Sequence, residues 1–386
     1  MSTAQTKSPL FRWVMSGMEI LLKPFIWFQR KRAGATRRIG VLEVNRLGDV
    51  ELMLPALQEL RRRAPSATIV LIAATSLLDL VRDQSCIDER IPLDVPWMNH
   101  SHKYAFWTYG PFLRQLSAMR RANLDVCLDT RGDLRRHMLM ALAKIPERVS
   151  YDRFLGGLDY GYRGRLLTRV IEHPQQPMHR ADENRYLIQR WLNEAAADQP
   201  APLPPREIPG DRPLRVALHV ESHWPNKTWE DDRWIAVLQR LQEKRPVAFS
   251  LFSASQVAAD HFVAKARAHG IAMETVCEPL AQLRRRLSAM DLYLGVDSGP
   301  MHVADTEGCR IVSLFGPSDI GVWHAYRNGP ASAVHRQDTC PYAPCRSPWC
   351  RTGDTRCMTM ISVDQVMDAC EQALAGPAGA TSCIVS

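Results

Sequence analysis

From residue 39 onward, short apolar β-branched runs alternate with longer amphipathic runs, and this alternation is the feature that most limits the fold. Such alternation is typical of βα units wound around a parallel sheet. The apolar runs predict strands at 39–44, 68–74, 124–129, 215–220, 247–252, 291–296 and 310–315. The amphipathic runs predict helices at 50–63, 111–122, 133–143, 182–195, 231–244, 255–268, 279–289, 299–307 and 363–375.

A proline-rich stretch at 198–213 divides this pattern into two halves, because it breaks any regular element and the βα alternation restarts after it. The chain is therefore predicted to form two α/β domains, each with an open parallel sheet. Such folds bind ligands beyond the carboxyl ends of their strands, so the site is expected in a central cleft that both domains face. The predicted organisation is an N-terminal segment 1–38, a first domain 39–205, a second domain 206–362, and a C-terminal helix and tail 363–386.

The basic charge of the chain is concentrated at its N-terminus. The formal net charge is +8, and residues 1–38 hold eight Lys or Arg residues against the single acid Glu19. The remainder is near neutral, which argues against a nucleic-acid-binding core. With 46% hydrophobic and 23% charged residues, the composition is that of a globular protein, and it excludes a disordered or polytopic membrane chain.

Apolar residues recur at helical spacing between Phe11 and Phe25, and the aromatic residues Trp13, Trp27 and Phe28 are followed by a basic tail. This pattern predicts an amphipathic helix that lies on an anionic membrane surface. The alternative is a helix docked on its own core. Because Glu19 interrupts the apolar run and no cleavage site follows, a signal peptide is not expected. The body is predicted to be cytoplasmic, at the inner face of the membrane.

The first predicted strand runs into the turn Arg46-Leu47-Gly48-Asp49, which opens a helix. Gly48 permits a tight turn, and the partial positive charge of the helix N-terminus stabilises the carboxylate of Asp49. Asp49 is a candidate general base, because a carboxylate at a strand end can accept a proton from a substrate hydroxyl. The alternative role is that of a helix cap.

Two segments of the second half carry candidate phosphate and sugar contacts. The turn Asp297-Ser298-Gly299 follows a strand and opens a helix that includes His302, so backbone amides and the helix N-terminus would face a phosphate. The loop from Ser222 to Trp229 carries Lys227, whose charge would neutralise a leaving diphosphate. The sequence contains no G-x-G-x-x-G, Walker A or Asp-x-Asp motif, so no nucleotide-bound metal is expected.

Four cysteines cluster near the C-terminus with spacings that differ from the Cys-x2-Cys of common zinc sites. Structural zinc or iron held by four thiolates, free buried thiols and a disulfide are the three interpretations of this cluster. No cofactor is expected for catalysis itself. The cluster consists of Cys340, Cys345, Cys350 and Cys357.

Several motifs together resemble glycosyltransferase family nine, the lipopolysaccharide heptosyltransferases, over about residues 39–375. They are RLGDVELMLPAL (46–57), DTRGDLRR (129–136), ENRYLIQRW (183–191), KTWEDDRW (227–234), DLYLGVDSGPMHVA (291–304), SLFGPSD (313–319) and PCRSPWCRTGDTRCM (344–358). The resemblance implies the GT-B fold of two Rossmann-like domains. The chain departs from the family where Thr228 follows Lys227 in place of Arg and where Glu51 follows Val50, which leaves the identity of the sugars open.

The resemblance also implies roles for single residues. Asp49 matches the catalytic base, Lys227 the donor-phosphate lysine and Asp297 the donor-sugar contact. The remaining donor-binding candidates are Ser222, Ser298, Gly299 and His302. Arg46, Arg131 and Arg135 are the candidates for contacts with an acidic glycolipid acceptor. For Arg131, Arg135 and Arg136 the alternative is a solvated helix face.

The resemblance implies an inverting, metal-independent glycosyltransferase that moves a sugar from a nucleotide-diphosphate donor to an acceptor hydroxyl. By the resemblance, the donor is ADP-heptose and the acceptor is a lipopolysaccharide core or a related surface glycan. One alternative is a nucleotide-sugar epimerase on the same fold, which would need no acceptor. The other is a non-catalytic scaffold at the membrane surface.

Overall fold

The computed structural model describes residues 38–98, 108–154, 164–194, 207–208 and 210–375, together with Trp13, Gly17, Ile20 and Leu21. Those four residues are helical, and the rest of the predicted N-terminal helix lies outside the described residues. The chain forms two compact units, Met1–Gln199 and Pro200–Ser386. Within the described part of the chain, no helix is both long and apolar enough to cross a membrane.

Unit 1 is built around a six-stranded parallel sheet with the strand order β3-β2-β1-β4-β5-β6. Its central strands are apolar on both faces, as expected for a sheet covered by helices on either side. The strands are β1 (Arg38–Glu43), β2 (Thr68–Ala73), β3 (Glu89–Pro92), β4 (Val126–Asp129), β5 (Glu147–Tyr151) and β6 (Arg169–Ile171).

The described helices of unit 1 follow its strands along the chain. Two of them pack together through buried polar contacts, in which Arg185 Nε and Gln189 Nε2 donate to the carboxylate of Glu59 at 2.8 and 2.9 Å. The helices are α1 (Leu47–Glu51), α2 (Leu54–Arg63), α3 (Thr75–Leu78), α4 (Tyr109–Arg121), α5 (Leu134–Leu142) and α6 (Arg180–Trp191), with 3-10 turns at Asp79–Val81 and Pro96–Met98.

Unit 2 contains a second six-stranded parallel sheet, with the strand order β12-β11-β10-β7-β8-β9. Read from its own first strand, this is the order of unit 1. The strands are β7 (Leu214–His219), β8 (Val247–Phe252), β9 (Met273–Val276), β10 (Leu292–Val296), β11 (Arg310–Phe315) and β12 (Ala333–His335).

The helices of unit 2 bury their apolar faces in one continuous core with the sheet, which includes Trp234, Leu294 and Met367. That burial is the main term that holds the helices to the sheet. The helices are α7 (Asp231–Lys244), α8 (Gln256–Ala268), α9 (Leu280–Ser288), α10 (Gly299–Thr306), α11 (Ile320–Trp323), α12 (Arg356–Thr359) and α13 (Val363–Ala375), with 3-10 turns at Pro225–Lys227, Pro330–Ser332 and Gln337–Thr339.

Both sheets reverse their strand order at one point, between β1 and β4 in unit 1 and between β7 and β10 in unit 2. At such a point the loops after the two strands separate to opposite faces and leave room for a ligand at the carboxyl ends. In unit 1 these ends are Glu43 and Asp129, and in unit 2 they are His219 and Val296. Functional side chains are therefore expected at the switch point of each unit.

All the strands predicted from apolar runs are present, and the sequence pattern misses only shorter or more polar ones: β3, β5, β6, β9 and β12. The predicted helix 50–63 is in fact two helices, α1 and α2. Pro55 lies in the first turn of α2, where its missing N–H is tolerated, and it is incompatible with a continuous helix through residues 51–55.

Candidate functional site

Asp49 is held in the first turn of α1, immediately after β1. Its backbone N–H donates to the carbonyl of Arg46 at 3.0 Å, and its Oδ2 accepts the backbone N–H of Arg46 at 3.3 Å. The residue is only 7% exposed. Asp49 thus caps its own helix, and its carboxylate lies beside the carboxyl end of β1.

The second oxygen of Asp49 is engaged by Arg131, whose Nη2 forms an ion pair with Oδ1. Arg131 follows β4, and its Nε lies 3.6 Å from Oε2 of Glu43, the last residue of β1. The other oxygen of Glu43 accepts a hydrogen bond from Nη2 of Arg136 at 3.0 Å. One buried guanidinium therefore lies between two buried carboxylates.

This pairing belongs to a larger buried ionic cluster at the switch point of unit 1. Arg136 Nη1 also donates to Asp129 at 3.0 Å. Arg180 Nη1 donates to Glu183 at 2.8 Å, and its Nη2 donates to the carbonyl of Thr130 at 3.0 Å. Buried charges are costly unless paired, and here every member has a partner of opposite sign.

The cluster shifts the pKa of its members. Burial by itself would raise the pKa of Glu43, but Arg136, Arg131 and Arg180 hold it below its ordinary value. Burial would likewise raise the pKa of Glu183, whereas Arg180 and His173 lower it to about 2. Both carboxylates are therefore ionised at neutral pH.

Arg131 is the member whose cationic form the cluster favours least. Burial lowers its pKa, and the nearby Arg180 and Arg136 lower it further, against the opposite effect of Asp49 and Glu43. Arg136, in contrast, has a raised pKa despite its burial, because Glu43 and Asp129 both face it. Facing carboxylates thus offset the effect of burial on the pKa more fully at Arg136 than at Arg131.

The acceptor candidates Arg46, Arg131 and Arg135, and the neighbouring Arg136, lie in different surroundings. Arg131 and Arg136 are 5% and 2% exposed, so the alternative of a solvated helix face is wrong for these two. The turn after β4 directs Arg131, and the first turn of α5 directs Arg136, toward buried carboxylates. Arg135 is half exposed, pairs with Asp133 at 2.6 Å and lies over the ring of Trp97. Arg46 is exposed.

In unit 2 the structure brings Lys227 and Asp297 together. Lys227 ends a 3-10 turn after β7, and Asp297 follows β10. Lys227 Nζ donates to Asp297 Oδ2 at 2.5 Å and to its carbonyl at 3.2 Å, and it lies 4.9 Å from the ring centroid of Trp224. Burial would raise the pKa of Asp297, but Lys227 keeps it below its ordinary value.

The other donor candidates lie near this pair, either at the start of α10 or in the loop that contains Lys227. Ser298 caps α10, its Oγ lies 3.1 Å from Tyr293 Oη, and Gly299 is the first residue of that helix. His302 is buried one turn later. Ser222 lies on the Lys227 side, where its Oγ accepts the backbone N–H of Trp224.

A segment from Gln337 to Ile361 contacts the turn that ends in Lys227 and the loop that follows β11. Asn226 Nδ2 donates to the carbonyl of Ser347 at 2.8 Å. Gln337 Nε2 donates to the carbonyls of Gly316 and Ser318, at 2.8 and 2.5 Å. Ser318 in turn hydrogen-bonds the carboxylate of Asp297. The segment thus supports Lys227 from one side and Asp297 from the other.

The four clustered cysteines lie in this segment as free thiols. Cys357 is buried, and its burial and the neighbouring cysteines raise its pKa to about 11. The pKa of Cys350, in contrast, is lowered, because its thiol forms a hydrogen bond with Thr352. No three His, Cys, Asp or Glu side chains in the described part of the chain are arranged to hold a metal ion. No disulfide joins the described cysteines.

Sequence reasoning missed most of the ionic cluster around Asp49. Glu43, an acid inside an otherwise apolar strand, was the available signal, because a charge at such a position has to find a buried partner. Arg180 and Glu183 gave no comparable signal, since charged residues at i, i+3 on a helix are ordinarily solvated. Ser318, beside Asp297, was also missed.

Solved structures share this arrangement of two parallel sheets. A glycosyl transferase family 9 protein from Veillonella parvula superposes with a TM-score of 0.68 at 20% identity, covering 88% of this chain and 97% of that one. An E. coli heptosyltransferase, WaaC, determined with ADP, gives a TM-score of 0.66 at 16% identity, covering 87% of this chain and 99% of that one. The fold is therefore the GT-B fold of glycosyltransferases.

The sequence gives the family. The model of glycosyltransferase family 9 (heptosyltransferase) matches residues 113–353, and the chain belongs to this family. It is also 24% identical over 331 residues to lipopolysaccharide heptosyltransferase 1 of Pseudomonas aeruginosa, a match that covers 81% of this chain and 87% of the relative. The protein is a glycosyltransferase.

Proposed function

We propose that this glycosyltransferase transfers heptose from ADP-heptose to a hydroxyl of a lipopolysaccharide core. The observation that carries the donor half is the Lys227–Asp297 pair at the switch point of unit 2, beside the N-terminus of α10. A cation beside a helix N-terminus suits a diphosphate, and a carboxylate suits sugar hydroxyls. The similarity to an ADP-bound heptosyltransferase structure supports adenine as the base.

The proposed reaction is an inverting transfer with Asp49 as the general base. Asp49 takes the proton of the acceptor hydroxyl, the oxygen attacks the anomeric carbon, and the bond from that carbon to the diphosphate breaks with its electron pair leaving on ADP. Lys227 offsets the charge that develops on the diphosphate. No resident metal is assigned to this step, because Lys227 and backbone amides supply the positive charge.

The acceptor contacts and the location of the enzyme are parts of the same proposal. Arg46 and Arg135 are the exposed cations near the Asp49 cluster that suit an acidic glycolipid. The similarity to lipopolysaccharide heptosyltransferase 1 supports a lipopolysaccharide core as the acceptor. The basic segment 1–38 is proposed to hold the enzyme at the cytoplasmic face of the inner membrane. Deletion of 1–38 should then abolish co-sedimentation with anionic vesicles and leave the folded body intact.

The decisive experiment combines donor binding with transfer. ADP-, UDP- and GDP-sugars are screened by thermal shift, since a ligand that binds only the folded state raises the melting temperature. ADP-heptose is then incubated with a core acceptor that lacks heptose. We expect ADP-heptose to stabilise the protein and to give a glycosylated product with wild type.

Asp49→Asn should bind the donor normally but lower kcat by about 10²- to 10⁴-fold, the range that a general base contributes. Donor turnover without acceptor would favour the epimerase alternative. Binding without any product across the acceptor panel would favour the scaffold. Full activity of Asp49→Asn would remove Asp49 from the mechanism.

A further inference from the structure

Both oxygens of the Asp49 carboxylate are already engaged. Oδ2 accepts the N–H of Arg46, and Oδ1 is paired with the Arg131 guanidinium. Once Asp49 takes a proton its negative charge is gone, and the buried Arg131 guanidinium loses its partner. A cation paired with such a base needs a second anionic partner during the proton transfer.

The structure contains a second partner for that cation. Glu43 Oε2 lies 3.6 Å from Arg131 Nε, too far for a hydrogen bond. Among the described residues, neither of these two atoms has a hydrogen-bond partner, and both are buried. A buried donor and a buried acceptor that face each other without bonding leave a contact that a small movement of Arg131 would complete.

The neighbouring groups are less available for this exchange. Arg136 is fixed between Glu43 and Asp129, and Arg180 between Glu183 and Thr130. His137 lies on the far side of this arrangement, 3.6 Å from Asp129. Arg131, in contrast, pairs with Asp49 and lies close to Glu43 without a hydrogen bond to it.

We propose that Arg131 and Glu43 are positioning residues that act through Asp49. Arg131 holds the ionised carboxylate of Asp49 in place, and its guanidinium moves from Asp49 to Glu43 as Asp49 takes the acceptor proton. This inference rests on the proposed role of Asp49 as the base. The acceptor O–H bond breaks, its proton goes to Asp49, and the oxygen forms the new bond to the anomeric carbon as the nucleoside diphosphate departs. The carboxylate of Glu43 then compensates the positive charge of Arg131 in place of Asp49.

Glu43 thereby solves a problem that a lone Asp49–Arg131 pair would create. Removing the charge of one partner from a buried pair leaves the other uncompensated, which is strongly unfavourable. With Glu43 in place, the buried arginine has a carboxylate partner both before and after the proton transfer. This role differs from that of an acceptor anchor, which was the sequence-based hypothesis for Arg131.

The first test is kinetic, on the full chain with ADP-heptose and the core acceptor. Glu43→Gln should lower kcat by about 10- to 100-fold, because a small misplacement at a reacting group costs rates of that order. The acceptor KM and the donor affinity should stay within twofold of wild type, since neither residue is assigned to ligand binding. Glu59→Gln is the matched control, because Glu59 is also a buried carboxylate paired with an arginine but lies between α2 and α6.

A double-mutant cycle shows whether Glu43 acts through Arg131. If it does, adding Glu43→Gln to Arg131→Gln costs no further activity. Independent, multiplying effects would overturn the proposal, as would unchanged kcat in Glu43→Gln. A rise in acceptor KM with unchanged kcat in Arg131→Gln would make Arg131 an acceptor contact instead. If Glu43→Gln does not fold, Arg131→Lys is tested in its place. An ammonium keeps the positive charge but lacks the planar set of N–H donors that faces both Asp49 and Glu43.

A structural readout is independent of turnover. Asp49→Asn imitates the uncharged side chain, so its crystal structure should show Arg131 Nε within hydrogen-bond distance of Glu43 Oε2. An unmoved Arg131 would overturn the exchange. The proposed function fails separately, and recognisably, if wild type gives no product or if Asp49→Asn is fully active.

Discussion

Lys227 Nζ and Asp297 Oδ2 lie 2.5 Å apart although the two residues are 70 positions apart in the chain. The pair forms because the turns after β7 and β10 meet at the switch point of the second sheet. It also means that the lysine proposed for the donor diphosphate is already neutralised by a carboxylate in the ligand-free protein. A diphosphate therefore has to share or displace Asp297 when it binds Lys227.

Replacement of this lysine should impair both donor binding and turnover. Lys227→Met removes the charge that offsets the leaving diphosphate, so kcat should fall by about 10²- to 10³-fold, the cost of losing one such donor. Asp297 is left buried without its cation, so the melting temperature should fall as well. Steady-state kinetics and calorimetric donor titration measure these effects. Lys244→Met, which removes an exposed lysine of the same unit, should change neither.

Gly295 in β10 should tolerate no side chain. A Cβ at this position would lie 2.4 Å from the carbonyl oxygen of His219 in the neighbouring strand. Gly295→Ala is expected to cost about 1–3 kcal/mol, the usual penalty for overpacking, and to displace the strand end that leads to Asp297. Chemical denaturation provides the free energy of unfolding. Gly210→Ala is the control, because a Cβ there meets no atom within 4 Å.

The free energy of unfolding should depend on pH through Glu183. Its pKa is about 2 in the folded protein against an ordinary value of 4.5, so the ionised form is stabilised by folding. This stabilisation, on the order of 3 kcal/mol, is complete above pH 4.5 and disappears as the pH falls toward 2. The stability difference between wild type and Glu183→Gln should therefore narrow from pH 7 to pH 3. Glu172→Gln, at an exposed position, should show a small difference at both pH values.

Asn226 should link the cysteine-containing segment to the donor lysine. Its buried side chain donates to the carbonyl of Ser347 and fixes the turn that ends in Lys227. Asn226→Ala should lower donor affinity by roughly fivefold, which corresponds to about 1 kcal/mol for one lost hydrogen bond. Calorimetric titration with donor measures this change. If Gln239→Ala, which alters an exposed contact to His269, gave the same loss, the link through Ser347 would be refuted.

The central part of the fold could be predicted from sequence because it depends on local apolar patterns. Seven of the eight inner strands have such patterns: β1, β2, β4, β7, β8, β10 and β11. The short strand β6, in contrast, has only one apolar residue that is buried, and it forms because β5 offers it an edge. Tertiary pairing of that kind leaves little trace in a short window of sequence.

The candidate site shows the same limit. Asp49, Lys227 and Asp297 could be singled out because each lies just after a predicted strand. The burial of Arg131 could not be predicted, since a run of arginines at a helix start is typical of a solvated surface. Its partners Glu43 and Asp49 lie more than eighty residues earlier in the chain, and only the parallel pairing of β1 with β4 brings them together.

The candidate site residues of each unit lie at a switch point, where strands that are far apart in the chain pair. Pairing of this kind is slow in folding. Arg38 and Asp125, which hydrogen-bond where β1 and β4 begin, are 87 residues apart, and Arg215 and Asp291 in the other unit are 76 residues apart. Closing such long loops has a large entropic cost, and pairings of this kind slow folding. The pairings of β1 with β4 and of β7 with β10 thus form only after long intervening stretches have condensed. Recovery of donor binding after dilution from denaturant should therefore lag behind the recovery of helical circular dichroism.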